Sequence, residues 1–395
     1  MLDHIRDIES SPHIDHHDSD DSKPIIEPQL NVGGHGATQR RLKDYHVTMI
    51  GFCSGIGTGL FIGTGSAYAN AGPAGLLLAY IIVGSVLWCV MQSIAELATV
   101  IPTAGSFPHF ASRFIDPAVG FSLAISYGYC YTISIAAECS ASAILVGYWT
   151  DLSPAVVITI SLVLILAINL LSVRWFGESE VAAGTIKIAC FLGLVLVSIV
   201  ITSGGAPNGE TIGFRYWNDP GAWVDYNGIT GPTDRQLPQF FGRTWSNGVP
   251  YWAVLASWLF GPLAYLSLGS GGAAQAFGWL VSLSTVAGLI AWATLCFCYI
   301  RFHAAMKAQG HSRDSLPWKG PFQPFTAWYG FVGSTIITLI TGFPVFLKGN
   351  WSTGDFIASY IGIPIFIVPI IIWKLWHKTK FARANTIDLH SGRLR

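Results

Sequence analysis

Nine stretches of mostly apolar residues, each close to the roughly 20 that carry a helix across a bilayer, set the terms for this chain. They fall at about 46–69, 75–99, 119–147, 154–173, 182–203, 252–269, 275–300, 328–347 and 355–376. Few of them hold a charge near the middle. In hydrocarbon every backbone polar group must be satisfied within the segment, so such runs predict helices. The expected fold class is therefore an all-α polytopic membrane protein with about nine transmembrane helices. Composition agrees, because only 11% of the 395 residues are charged and 51% are hydrophobic, whereas soluble domains carry roughly a quarter charged residues. The 22 Lys and Arg balance 22 Asp and Glu, which leaves no basic face for nucleic acid.

The seven cysteines, Cys53, Cys89, Cys130, Cys139, Cys190, Cys296 and Cys298, all sit in apolar runs, where a small soft side chain packs well; no disulfide framework is implied. Cys296 and Cys298 form a C-x-C pattern with no His or carboxylate nearby, so packing is the expected role and no metal site is assigned. The N-terminus has no apolar signal-peptide region, so targeting is expected to come from the first span. Residues 1–44 read as a disordered, solvated tail. Its His13, His16 and His17 lie beside acidic residues, a pattern that suits a disordered tail better than a metal site. No cofactor is expected.

Lys and Arg are retained on the cytoplasmic side, and the tail holds five: Arg6, Lys23, Arg40, Arg41 and Lys43. With the N-terminus inside, Arg113 after the second span and Arg174 after the fourth fall inside too. The second half makes a different demand. Arg301, Lys307, Arg313 and Lys319 follow the seventh span, and Lys374, Lys378, Lys380, Arg383, Arg393 and Arg395 follow or close the ninth. A count of nine crossings puts both groups outside. An odd number of crossings is missing, or one is hidden, within 204–251, where an aromatic loop gives way abruptly to a basic one. The expected organisation is a cytoplasmic tail (1–44), five helices (45–203), a loop holding a deletion junction (204–251), four helices (252–376) and a cytoplasmic tail (377–395).

The first span carries the most chemistry. It reads GFCSGIGTGLFIGTGSAYANAGPAG, with glycines at 51, 55, 57, 59, 63 and 65. Each interior glycine costs a helix roughly 1 kcal/mol, so an unbroken helix is not expected. A dinucleotide fingerprint needs a preceding strand in a soluble βαβ unit, which is absent. Two readings remain. The glycines could let another helix approach closely, as small residues do in membrane bundles. Alternatively the span breaks near Gly55–Gly59, freeing N–H groups for an anion and C=O groups for a cation at mid-membrane. That geometry suits a zwitterion.

Two ionisable residues lie inside spans, each costing roughly 2.5–3.5 kcal/mol at a helix centre on insertion scales. Glu138 could make a structural hydrogen bond to a neighbouring helix, or face substrate or carry a proton. Lys187 could snorkel to the cytoplasmic end of its span, or act within the membrane. Glu96 closes the second span and reads as a helix-end or gating contact. Tyr127, Tyr129 and Tyr131 alternate onto different helical faces and read mainly as packing residues. No His/Asp/Ser or metal constellation suggests an enzyme.

The stretch RRLKDYHVTMIGFCSGIGTGLFIGTGSAYANAGPAGLLLAY, the IPTAGSF after the second span, AAECSASAILVGYW, FRYWNDPG, AWYG and FLKGNW together resemble the fungal amino-acid permeases. These belong to the amino acid, polyamine and organocation transporter superfamily. The resemblance spans nearly all of residues 40–380. It implies twelve spans with an inverted repeat, of which the first five and the last four match here, with family spans six to eight absent across about Gly228–Gln236. Three is odd, which would reconcile the charge count. It also implies proton-coupled amino-acid uptake by alternating access at the plasma membrane, with the endoplasmic reticulum as the alternative if the shortened chain misfolds. Span six of the family pairs with span one around the substrate, so half of the site would be missing. A non-transporting form is the alternative function. The family has an acidic residue at the place of Glu138, and proton-coupled relatives carry a lysine at the place of Lys187, where sodium-coupled relatives hold a cation. The candidate substrate-binding residues are Ser54, Gly55, Gly57, Thr58, Gly59 and Glu138, and Lys187 is the candidate coupling residue.

Overall fold

A computed structural model describes residues 42–102, 106–171, 173–205, 207, 209–215, 217, 261–268 and 273–391. The segment 228–236 lies outside them, as do the three tail histidines. Among the described residues the chain is helical throughout, with no strand. The helices are α1 (Asp44–Gly55), α2 (Thr64–Val100), α3 (Ser106–Phe114), α4 (Pro117–Val146), α5 (Pro154–Leu170), α6 (Val173–Thr202), α7 (Ala273–Ala308), α8 (Phe325–Ile340), α9 (Thr353–Tyr360) and α10 (Gly362–His377).

Five segments are long and apolar enough to cross a membrane singly, and α9 with α10 forms a sixth, bent by 51°. α5 and α8 are shorter apolar helices. Eight of the nine expected spans thus have a helical counterpart. The remaining one, the sixth in order at 252–269, is described only over Gly261–Leu268, and there the backbone is a 3-10 helix, not the expected α-helix. The first two spans are also divided differently from the sequence pattern. A π-helical turn, Gly59–Gly63, leads into α2, which contains both the end of the first span and all of the second. The corner between them is Gly72, at φ 72°, followed by Pro73. Glycine adopts that positive φ freely and proline cannot continue the incoming helix.

Local signals set the other boundaries. Asp116 caps α4 by accepting from the Ala118 amide at 2.8 Å, with Pro117 at the first helical position, the pairing a helix start favours. α3 presents Phe107, Phe110 and Phe114 at helical spacing, and the last two are buried against Leu97, Val100, Tyr299 and Phe302. Burial differs sharply between helices. About 60% of the apolar window of α7 and 56% of that of α4 is covered by the rest of the bundle, against 11% for the first span and 6% for α6. α1 and α6 therefore form an edge pair. Gly184 permits their contact, since a Cβ there would lie 2.1 Å from Cys53 Sγ. Leu192, Leu196 and Val197 of α6 and Ile371 and Ile372 of α10 face outward, as a lipid-facing surface requires.

The ends of the helices place the basic groups. Lys374 Nζ reaches Asp116 Oδ2 at 2.8 Å, Arg301 donates to the Phe114 carbonyl at 3.4 Å, and Arg313 pairs with Glu96 at 2.8 Å. The ends of α7 and α10 therefore lie at the same end of the bundle as the end of α2 and the α3–α4 corner. The described late basic groups Arg301, Arg313 and Lys374 thus share an end of the bundle with the α3–α4 corner that holds Arg113.

Candidate substrate site at the break in the first span

α1 stops at Gly55. Ile56 leaves the helix with φ −110° and ψ 103°, and helical geometry resumes at Thr58. The break falls where glycines are densest, because the lost helical bonds cost least where propensity is already poor. α1 ends in carbonyls that its own turns do not use, and in the next turn the Leu60 and Phe61 amides fold back onto the Gly57 carbonyl at 3.0 and 3.3 Å, with the Thr58 and Gly59 amides ahead of them. Those partial charges attract a cation and an anion respectively.

Two side chains from other helices reach the break. Thr58 Oγ1 donates to Glu138 Oε1 of α4 at 3.0 Å. On the other side, Lys187 Nζ of α6 donates to the carbonyl of Cys53, one of the last four of α1, at 3.3 Å. The ammonium thus sits where the C-terminal end of a helix favours positive charge. Glu138 and Lys187 approach the break from separate helices, so it holds one fixed carboxylate and one ammonium about a gap in the backbone. The sequence marks Cys53 as a packing residue; in the fold its thiol donates to the Glu180 carbonyl at 3.5 Å while its carbonyl receives Lys187.

The glycines themselves separate the two readings of the motif. A Cβ built at Gly51, Gly55, Gly57, Gly59, Gly63 or Gly65 would meet nothing within 4 Å. Among the described residues, then, no close helix approach explains them; they border open space along α1 and the turn that follows it. Glu138 is exposed to the same degree of openness in the middle of a span. Ser54, by contrast, spends its hydroxyl on the Gly51 carbonyl at 2.8 Å, the local bond that helical serines commonly make, so only its backbone is free. Tyr127 packs edge-on against Phe107 and Tyr131, and Tyr129 packs with Ile133 and Leu280.

α1 is braced from outside the break. Tyr45 donates to Glu178 Oε1 at 2.9 Å and His46 Nε2 lies 3.3 Å from the same oxygen. Farther off, Glu96 is wholly buried and accepts four bonds: Arg313 Nε at 3.0 Å, Arg313 Nη2 at 2.8 Å, Tyr299 at 2.7 Å and the Gly320 amide at 2.7 Å. This bidentate clasp ties α2 to α7 and the loop beyond it, a firmer role than a helix-end contact. Its partners are 203 and 217 residues away, so no local pattern could have revealed them.

The family profile described as Amino acid permease matches this sequence over residues 46–231 and 232–386. The two stretches meet inside the 228–236 segment where the sequence reading places a junction. A proline-specific permease of Emericella nidulans is 29% identical over 492 aligned positions, covering 91% of this chain and 89% of the relative. That alignment is longer than the 395-residue chain, so it must open a gap within it. A dicarboxylic amino acid permease of Saccharomyces cerevisiae is 28% identical, with 89% and 80% covered. A basic amino-acid permease of the same yeast is 29% identical, with 90% and 84% covered. A multi-pass helical bundle, a first span broken around a carboxylate and an ammonium, and a profile match over most of its length make this chain a member of the amino acid permease family.

Proposed function

We propose that the protein carries amino acids across the plasma membrane by alternating access, coupled to protons, and that the break in span one is its substrate site. One observation carries this reading: a half-helix end, Glu138 and Lys187 converge on a glycine-lined gap inside the membrane. A zwitterion has complementary needs. Its carboxylate fits the amides that begin at Thr58, and its ammonium fits the carbonyls of Ser54 and Gly55 together with Glu138. The Lys187 ammonium, held on the Cys53 carbonyl, serves as the charge that a coupling proton adds or removes. The relatives are named for proline, dicarboxylic and basic amino acids at nearly equal identity, so identity does not choose among them, and we place most of the selectivity in the segment that the alignment opens.

A second reading is favoured by the two-part match. The gap falls where family spans six to eight belong, and the α1–α6 face is uncovered, so the shortened chain is a non-transporting form. The deciding experiment measures accumulation of labelled amino acids in a host stripped of its own uptake, with and without a protonophore. Accumulation by the chain as it stands, rising at lower external pH and abolished by the protonophore, supports the first reading. Accumulation only after the missing segment is reinserted supports the second, and none in either form overturns the transport site altogether.

A further inference from the structure

At the end of the bundle where α10 stops, most cations are already engaged. Arg313 holds Glu96, Lys374 holds Asp116 and Lys319 holds Asp314 at 2.7 Å. Arg113 donates to the Asp388 carbonyl at 2.7 Å and the Ser391 carbonyl at 2.8 Å. Arg301 is bonded to the carbonyls of Phe114 and Ala382 and lies over the Phe381 ring. Among the described residues, Lys378, Lys380 and Arg383 make no hydrogen bond or ion pair through their side chains, and all three are exposed. They fall within six residues of one another on the segment that follows α10.

That segment is not a loose tail. Thr379 donates to Asp116 Oδ1 at 2.8 Å, and the Ala382 amide donates to the Ile115 carbonyl at 2.8 Å. Gln309 Nε2 donates to the carbonyls of Ala384 and Ile387 at 3.0 and 2.8 Å. Ile387 and Leu389 are buried with Leu97, Phe110 and Phe302. The inner side is thus fastened to α3, α4 and α7, which leaves the outer side to present the three cations. Next to them, Leu375 and Trp376 are 76% and 80% exposed at the last turn of a membrane-spanning helix, with Phe381 at 47%. Exposed tryptophan at a span end sits at headgroup level. The only described carboxylate of the segment, Asp388, is turned toward Arg113 at 3.4 Å, so no described carboxylate neutralises the three charges.

We propose that residues 374–391 form a strap whose outer face, Lys378, Lys380 and Arg383 flanked by Trp376, binds anionic phospholipid headgroups of the leaflet at which α10 ends. Clusters of basic residues just beyond a span recognise such headgroups, each residue contributing roughly a fivefold preference at an anionic surface. Occupancy has a structural consequence, because the strap joins the α3–α4 corner to α7: headgroups on its outer face hold its inner bonds closed. This proposal does not depend on whether the chain transports.

The test uses the purified full chain in detergent with equal phosphatidylserine and phosphatidylcholine, and native mass spectrometry to count retained lipids. Phosphatidylserine should be retained preferentially, and K378Q/K380Q/R383Q should lower that preference at least tenfold, while K378R/K380R keeps it. Hydrogen exchange at the Ala382 amide should be slower in phosphatidylserine nanodiscs than in phosphatidylcholine ones. Equal retention by parent and triple variant would overturn the proposal. So would equal protection of Ala382 by soluble inositol hexakisphosphate in pure phosphatidylcholine, which would assign the site to a free phosphate rather than the leaflet.

Discussion

Four residues show how far a side chain's meaning depends on what its neighbours leave free. Lys187 and Glu138 were conspicuous in the sequence because an ionisable group inside a span is expensive. Their partners were not legible: the Cys53 carbonyl is available only because α1 ends two residues later. Glu96 carries the clearest energetic prediction. Removing one partner of a buried, hydrogen-bonded ion pair strands the other and costs on the order of 3–5 kcal/mol, so Glu96→Leu should lower the thermal midpoint of the purified protein markedly. Glu96→Gln should fall between, since its one amide oxygen can still accept from Tyr299 or from the Gly320 amide but not from both, and the charge facing Arg313 is lost. An unchanged midpoint for Glu96→Leu would show that the clasp is ornamental. Asp388 gives a pH prediction. Burial opposes its charge, but bonds from Ser391 and from the His390 and Ser391 amides, with Arg113 alongside, bring its carboxyl down to about 2. A depressed folded value means that the stabilisation is present above the ordinary carboxylate range and is lost as pH falls toward 2. Protection of the Ala382 amide should therefore persist from pH 7 to pH 5; loss across that interval would contradict the assignment.

At the scale of elements, the break in the first span was readable and its use was not. Six glycines within fifteen residues argue against a continuous helix whatever surrounds them. Whether they serve packing or a ligand is a question about neighbours, and the open space beside them answers it only in three dimensions. A leucine at Gly57 has room, so Gly57→Leu should leave expression and helical content close to the parent's while abolishing amino-acid uptake in whichever form of the chain accumulates. Uptake at the parental level would remove the backbone gap from the mechanism. The shorter helices were the least legible. α3, nine residues long, falls between the second and third expected spans and is too short for a pattern of about 20 residues to detect, yet its phenylalanines anchor the core at that end. The C-terminal strap is another such case, since Ile387 and Leu389 form no periodic apolar run and become core residues only because Arg113, Arg301 and Gln309 hold the intervening backbone in place.

At the scale of the whole molecule, the charge pattern exposes a tension in the count of crossings. Counting apolar runs put ten late basic residues on the wrong side; the ion pairs Lys374–Asp116 and Arg313–Glu96 put the described ones with the α3–α4 corner. The sequence accounts for the mismatch by an odd number of crossings missing within 204–251; of the run 252–269 only Gly261–Leu268 is described, as a 3-10 helix. Labelling a tag at the C-terminus and one inserted near residue 104 should find both on the cytoplasmic side in intact cells. A C-terminus labelled from outside would contradict the pairing. The central claim is that the break in span one binds an amino acid while Lys187 couples it to protons, and it is tested most directly by separating accumulation from exchange. In the form of the chain that takes up amino acids, Lys187→Met should lose pH-dependent accumulation while retaining exchange of internal for external amino acid, because exchange needs the site but not the driving ion. Accumulation by Lys187→Met equal to the parent at every pH, still abolished by a protonophore, would contradict it.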